Sequence, residues 1–155
     1  AFYLGMDVFG KMIDRLKDAM AGDAKYQLET VPFQNDMYNK VGEKMTADSV
    51  LPGPIKEYDI LCMFSVITHM NPADASAIFH IMHKLVKDDG ILVFSTFVDP
   101  AQEVDFYDEN PERPLLRARF KKSYIDQLVT EAGWKIKTFS RPIKGVIQSH
   151  YICTK

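Results

Sequence analysis

Between Tyr58 and Val98 the apolar positions follow first a strand pattern, then a helical one, then a strand pattern again. YDILCMFSVI is a nearly unbroken apolar run, as in a strand buried on both faces of a parallel sheet. It stops at Thr68-His69-Met70, and Asn71-Pro72 supplies an N-cap followed by a proline in the first helical turn. Ala75, Ile78, Met82 and Leu85, with Ile81 beside them, form one stripe at helical spacing. Lys84 and Lys87 suit the helix C-terminus, and Gly90 after Asp88-Asp89 offers a left-handed residue to end it. ILVFSTFV then reads as a second buried strand. Two strands joined by one helix predict a right-handed βαβ crossover within a parallel sheet. Ile60, Cys62, Phe64, Leu92, Phe94 and Val129 are the expected core.

The flanks are legible in the same way. Phe2 to Met6 is a short strand ending at Asp7, and a helix follows with Phe9, Met12, Ile13, Leu16 and Met20 on one face and Gly22 at its end. Tyr26 to Phe33 alternates weakly as another strand. Residues 34–57 show no period and read as a long connection with a short helical turn near Thr46-Ala47-Asp48. Asp99 to Pro114 is acidic, proline-bearing and without period, hence loop. Ser123 is placed to cap a helix carrying Ile125, Leu128, Val129 and Ala132, closed by Gly133. Trp134 to Phe139 alternates as a strand, Arg141-Pro142 to Gly145 turns, and Val146 to Cys153 returns. So short a connection makes the last two strands antiparallel.

Composition narrows the class. A chain of 155 residues, 46% hydrophobic and 26% charged, reads as one domain, residues 1–155, with a substantial core. A formal charge of −2 gives no electrostatic case for nucleic acid or an anionic membrane. No apolar run reaches bilayer-spanning length, and no signal peptide opens the chain, so a cytoplasmic setting is expected. Cys62 and Cys153 fall in strand-like runs and are expected as buried free thiols, although a disulfide between them is possible. Neither has metal-ligand spacing to another Cys or His, so no metal site is expected. Ala1 in place of Met, with a strand beginning at once, points to a natural beginning upstream.

In element order and at several motifs the chain resembles the class I S-adenosylmethionine-dependent methyltransferases. Gly5-Met6-Asp7-Val8 followed by an amphipathic helix is similar to their second strand, and Val31-Pro32-Phe33-Gln34-Asn35-Asp36-Met37 to the end of their third. Tyr58 through Met70 resembles their fourth-strand motif, and Lys84-Leu85-Val86-Lys87-Asp88-Asp89-Gly90 the turn before strand five. Ser123-Tyr124-Ile125 through Ala132-Gly133-Trp134 resembles their late helix and sixth strand. The resemblance covers essentially the whole chain. It implies a three-layer, Rossmann-like α/β fold, with a mainly parallel sheet and a C-terminal antiparallel hairpin. It also implies S-adenosylmethionine as cofactor, and methyl transfer to a small-molecule or protein nucleophile. Asp7, with Val8 after it, would meet the cofactor ribose, Asn35 or Asp36 and Met37 its adenine, and Phe64-Ser65 would close the site.

The chemistry of these positions agrees. In an open parallel sheet ligands lie beyond the carboxyl ends of the strands, where Asp7, Asp36 and Phe64-Ser65 fall. A carboxylate accepts two hydrogen bonds from a vicinal diol, as a ribose offers. Each position also has a plainer reading: Asp7 as a helix N-terminal charge, Asn35-Asp36 as turn residues, Phe64 as core. His69 is the candidate catalytic residue, a general base on a hydroxyl or amine, or else a structural group of the turn. The acids Glu103, Asp105, Asp108, Glu109 and Glu112 suit either a cationic substrate or a solvated loop. One departure matters most. The family's first strand and its Gly-rich turn, which cradles the methionine part of the cofactor, have no counterpart, and the missing strand belongs between those ending at Asp7 and Phe64. A non-catalytic scaffold with the same fold is therefore the alternative. A nicotinamide dehydrogenase fits less well, because its phosphate-binding turn is missing too.

Overall fold

The computed structural model describes residues 1–54, 57–142 and 146–155. In chain order the elements are β1 (Tyr3–Asp7), α1 (Gly10–Ala19), β2 (Tyr26–Thr30), β3 (Tyr58–Met63), a 3₁₀ turn (Ile67–His69), α2 (Pro72–Leu85) and β4 (Val86–Asp99). Then come β5 (Phe106–Asp108), β6 (Ala118–Lys121), α3 (Lys122–Glu131), β7 (Lys135–Ser140) and β8 (Ser149–Thr154). The predicted βαβ unit is present: β3 and β4 pair in parallel with Ile60 opposite Ile91 and Met63 opposite Phe94. Asn71 caps α2 by accepting from the Asp74 amide at 3.0 Å, with Pro72 in the first turn. On its other edge β4 takes β8 antiparallel, and β8 takes β7 antiparallel, as the short connection required. Residues 143–145 of the predicted turn between them lie outside the described residues.

The core lies on one face of this sheet. Leu92 and Phe94 of β4 and Tyr151 and Cys153 of β8 meet Phe79 of α2 and Ile125 and Val129 of α3, all buried. Phe94 stacks on Tyr151 with centroids 4.6 Å apart and leans on Phe79 at 5.0 Å. Two polar groups are satisfied within this packing, as burial demands. The Trp134 indole donates to the Phe79 carbonyl at 3.0 Å, and the Tyr151 hydroxyl donates to Asp126 at 2.9 Å. Burial pushes the Cys153 thiol up to about 12, so it is an inert core group.

The opposite face differs from expectation. Ile60 is 59% exposed, Phe64 58% exposed, and Cys62 is exposed as well. Cys62, Val93 and Ile152 share one cross-strand row, and Ile152 too is exposed. Side chains alternate across a strand, so α2 and α3 cover one face of β3 and leave the other to solvent. The apolar stripe of α1 is half open in the same manner: Ile13 is buried, whereas Phe9, Met12, Leu16 and Met20 are 37–40% exposed. β1 and β2 pair in parallel as a separate two-stranded sheet and do not join β3. Leu4 and Met6 of β1 instead line a cavity of about 290 Å³ with Leu51, Tyr58, Ile81 and Leu85. The expected position between β1 and β3 therefore holds no strand among the described residues.

Four local expectations are corrected. Gly90 lies within β4 and has no left-handed backbone; β4 begins at Val86, and its ladder with β3 shifts register between Tyr58 and Ile60. Asp99–Pro114 is not all loop: β5 pairs antiparallel with β6, and β6 runs parallel to the end of β4. α3 starts at Lys122 with no side-chain cap, so Ser123 is not its N-cap. Residues 46–49 form a turn rather than a helix, held by the Ser49 amide on the Thr46 carbonyl and the Thr46 amide on Ser49 Oγ, both at 3.0 Å.

Gly90 has a steric reason to be glycine. A Cβ there would come within 2.5 Å of the Val86 side chain and 2.9 Å of the Tyr58 carbonyl. Gly90→Ala is expected to cost about 1–3 kcal/mol by overpacking. Urea unfolding measures it, and an unchanged midpoint would contradict the close approach.

Candidate functional site

The carboxyl ends of β1 and β3 and the turn after β2 carry the polar groups singled out in the sequence. Asp7 ends β1, and one of its carboxylate oxygens accepts from the Phe9 amide at 2.7 Å, at the entrance of α1. That is the helix-terminal role an acid can play there. The other oxygen has no hydrogen-bond partner among the described residues. Val8 beside it is half-buried.

After β2 the chain turns sharply, and Asn35 builds the turn. Its side-chain oxygen accepts from the Met37 and Tyr38 amides, each at 3.1 Å. Its amide nitrogen donates to the His69 carbonyl at 2.9 Å, which ties the β1–β2 unit to the 3₁₀ turn after β3. The Asn35 side chain thus makes three hydrogen bonds, using its oxygen twice and one amide proton. Asp36 is exposed with no hydrogen bond from the described residues, and Met37 is 37% exposed beside it. Burial pushes the Asp74 carboxyl above its usual range, the Asn71 side chain pulls it down, and the nearby charge of Asp36 adds a further upward push.

Three rings bridge the two sheets at this level. Phe9 lies 5.7 Å from Tyr38, and Tyr38 meets His69 edge-on at 5.8 Å. The His69 ring nitrogen Nδ1 is 2.9 Å from the Leu115 carbonyl oxygen. Across the end of β3, Ser65 adopts φ +56 and donates its amide to Ser95 Oγ at 2.9 Å. Gln148 joins both serines: Ser95 Oγ donates to its side-chain oxygen at 2.5 Å, and its amide nitrogen donates to Ser65 Oγ at 2.9 Å.

The structure therefore gathers Asp7, Val8, Asn35, Asp36, Met37 and His69 around one ring-lined corner, and sets Phe64 and Ser65 at the end of the adjoining strand. Two of the five loop acids, Asp108 and Glu109, are engaged within the fold. Glu109 pairs with Arg119 at 2.6 Å and Arg117 at 3.4 Å, which holds its carboxyl below the usual range. Asp108 accepts from the Leu115 and Asn110 amides. Tyr38, Gln148 and the Asp108–Leu115 pair escaped the sequence reading. Tyr38 sits in an aperiodic stretch, Gln148 lies in a run read only as strand, and nothing in a sequence marks a leucine for a left-handed backbone. Among the described residues no group of His, Cys, Asp and Glu could hold a metal ion, and no helix is long and apolar enough to cross a membrane.

No protein-family model matches the sequence. Solved structures do match it over nearly its whole length. A S-adenosylmethionine-dependent methyltransferase from Leishmania major aligns with 100% of the chain at TM-score 0.67 and 12% identity. One from Methanosarcina mazei aligns with 98% at TM-score 0.65 and 13% identity. The chain has the fold of S-adenosylmethionine-dependent methyltransferases. An enzyme described as catalysing a pericyclic reaction shares that fold, at TM-score 0.63 and 10% identity over 99% of the chain. This chain spans 55%, 81% and 36% of the three structures' own lengths.

Asn35 is expected to matter first for architecture. Asn35→Ala removes three hydrogen bonds, one of them between the two sheet units. A loss of about 1–3 kcal/mol in urea unfolding is expected, with faster hydrogen exchange at the Met37 and Tyr38 amides. Unchanged stability and exchange would show that the turn is held by other means.

Proposed function

We propose that the protein binds S-adenosylmethionine at the carboxyl ends of β1 and β3 and transfers its methyl group to a small-molecule or protein nucleophile. The observation that carries this reading is Asp7: one oxygen fixed on the Phe9 amide, the other without a partner, at the end of a parallel strand. So oriented, the carboxylate suits a ribose diol. The exposed Asp36 suits the adenine amine, with Met37 as a polarisable wall. Asn35 serves by shaping that corner, since its oxygen and one amide proton are already engaged. The bound cofactor supplies an electrophilic sulfonium methyl, and the chain's task is to align an acceptor with it and exclude water. No Gly-rich turn among the described residues meets the methionine end. The contacts that the described residues offer are those to the ribose and adenine, weaker by about 2–5 kcal/mol than with such a turn.

The unfilled position between β1 and β3 favours a second reading, a non-catalytic scaffold that keeps the fold without the cofactor. Calorimetric titration with S-adenosylhomocysteine separates the two. Asp7→Ala is expected to weaken binding by about 2–4 kcal/mol, or roughly 30- to 1,000-fold in dissociation constant. Equal binding by parent and variant would remove Asp7 from the site, and a parent that does not bind at millimolar ligand supports the scaffold.

A further inference from the structure

The cavity of about 290 Å³ between the two sheet units lies at the amino end of β3, away from Phe64 and Ser65. Leu4 and Met6 of β1 line it from one unit, and Ile81 and Leu85 of α2 from the other. A third wall is the strap of residues 48–54, which is tied down at three points. Lys84 Nζ donates to the Ala47 carbonyl at 2.8 Å and to Asp48 at 3.2 Å. The Tyr58 hydroxyl donates to the Pro54 carbonyl at 3.3 Å. Gly53 runs against β1: its φ is +105, and a Cβ there would come within 3.2 Å of the Leu4 side chain. The space is therefore shaped by the fold itself, as small-molecule sites usually are.

Its chemistry is one-sided. Leu4, Met6, Leu51, Ile81 and Leu85 offer only aliphatic and thioether groups. Among the described residues, the polar side chains on its border are already engaged. Asp48 holds Lys84, the Tyr58 hydroxyl is on Pro54, and Ser49 Oγ accepts from the Thr46 amide at 3.0 Å. A charged ligand would be desolvated here without a partner. The volume sets the size: a dry apolar cavity of roughly 150 Å³ takes one benzene ring, and this one is about twice as large. We propose that this cavity binds an uncharged aromatic molecule of two fused rings. Such a ligand touches β1 through Leu4 and Met6 and α2 through Ile81 and Leu85. It thus joins the two sheet units where no backbone ladder does. The site does not depend on the methyl-transfer reading, since Asp7, Asp36 and Met37 take no part in it.

Indole is the probe, read by ¹H–¹³C spectra of the protein labelled at its methionine methyls. Titration should shift the Met6 methyl saturably with a submillimolar dissociation constant, and ring-to-methyl NOEs should reach Leu4, Ile81 and Leu85. Indole-3-carboxylate, the charged control, should bind at least about tenfold more weakly. Leu85→Phe and Leu51→Trp fill the space from α2 and from the strap, and each should weaken indole at least about tenfold. Two filling variants keep the test intact should one of them not fold. Cys62→Ser, on the open sheet face, should leave indole binding unchanged. Shifts at Met12 or Met20 in place of Met6 would put the ligand on the α1 stripe and overturn the proposal. So would carboxylate binding as tight as that of indole, no saturable shift at millimolar indole, or folded filling variants that bind like the parent.

Discussion

The parallel pairing of β3 with β4, from Ile60–Ile91 to Met63–Phe94, fixes the place of nearly everything else. Because β4 is paired there on one edge, it can take β8 only on the other, and β8 then takes β7. Because α2 connects the two parallel strands, its apolar stripe is laid on one face, and α3 joins it around Phe94 and Tyr151. The carboxyl end of β3 is where the chain leaves the sheet. Ser65 turns there in a left-handed conformation, and the following 3₁₀ turn delivers His69. A strained, well-bonded exit from a parallel strand is a common place for ligand chemistry.

What does not pair matters equally. β1 and β2 form their own sheet, linked to the larger one through Asn35 and the rings of Phe9, Tyr38 and His69. The proposed cofactor contacts straddle that junction, with Asp7, Asp36 and Met37 on one side and Phe64 and Ser65 on the other. Relative placement of the two units is then the variable to which binding is most sensitive. One hydrogen bond, one ring contact and a shared cavity wall of Leu4, Met6, Ile81 and Leu85 are a slender tie compared with a continuous ladder of backbone hydrogen bonds. The row of Cys62, Val93 and Ile152, exposed at both ends and half-buried at Val93, and the half-open stripe of α1 belong to the same feature. Both are apolar surfaces of a sheet layer that the described residues do not cover.

The sequence was most legible where local and tertiary demands coincide. Asn71-Pro72 caps α2, Gly133 with φ +95 follows α3, and the alternation of Leu92, Phe94 and Tyr151 marks one covered face. It misled where a pattern is necessary but not sufficient. Ile60, Cys62 and Phe64 have the composition of a doubly buried strand, yet composition cannot say whether a second layer is present. Gly90 looked like a helix end because glycine serves both left-handed turns and close approaches, and only the 2.5 Å distance to Val86 distinguishes them. At the site, the acid at a strand end was readable from its neighbours. The contact of His69 Nδ1 with the Leu115 carbonyl was not, because it joins residues 46 apart and rests on an unusual leucine backbone.

The proposed site requires one small molecule to touch both sheet units at once. Amide hydrogen exchange with and without saturating S-adenosylhomocysteine tests this most directly. It predicts concerted slowing at Asp7–Gly10, at Asn35–Tyr38 and at Phe64–Val66. Slowing confined to one of these segments, or found only elsewhere in the chain, would contradict a site shared between the two sheets.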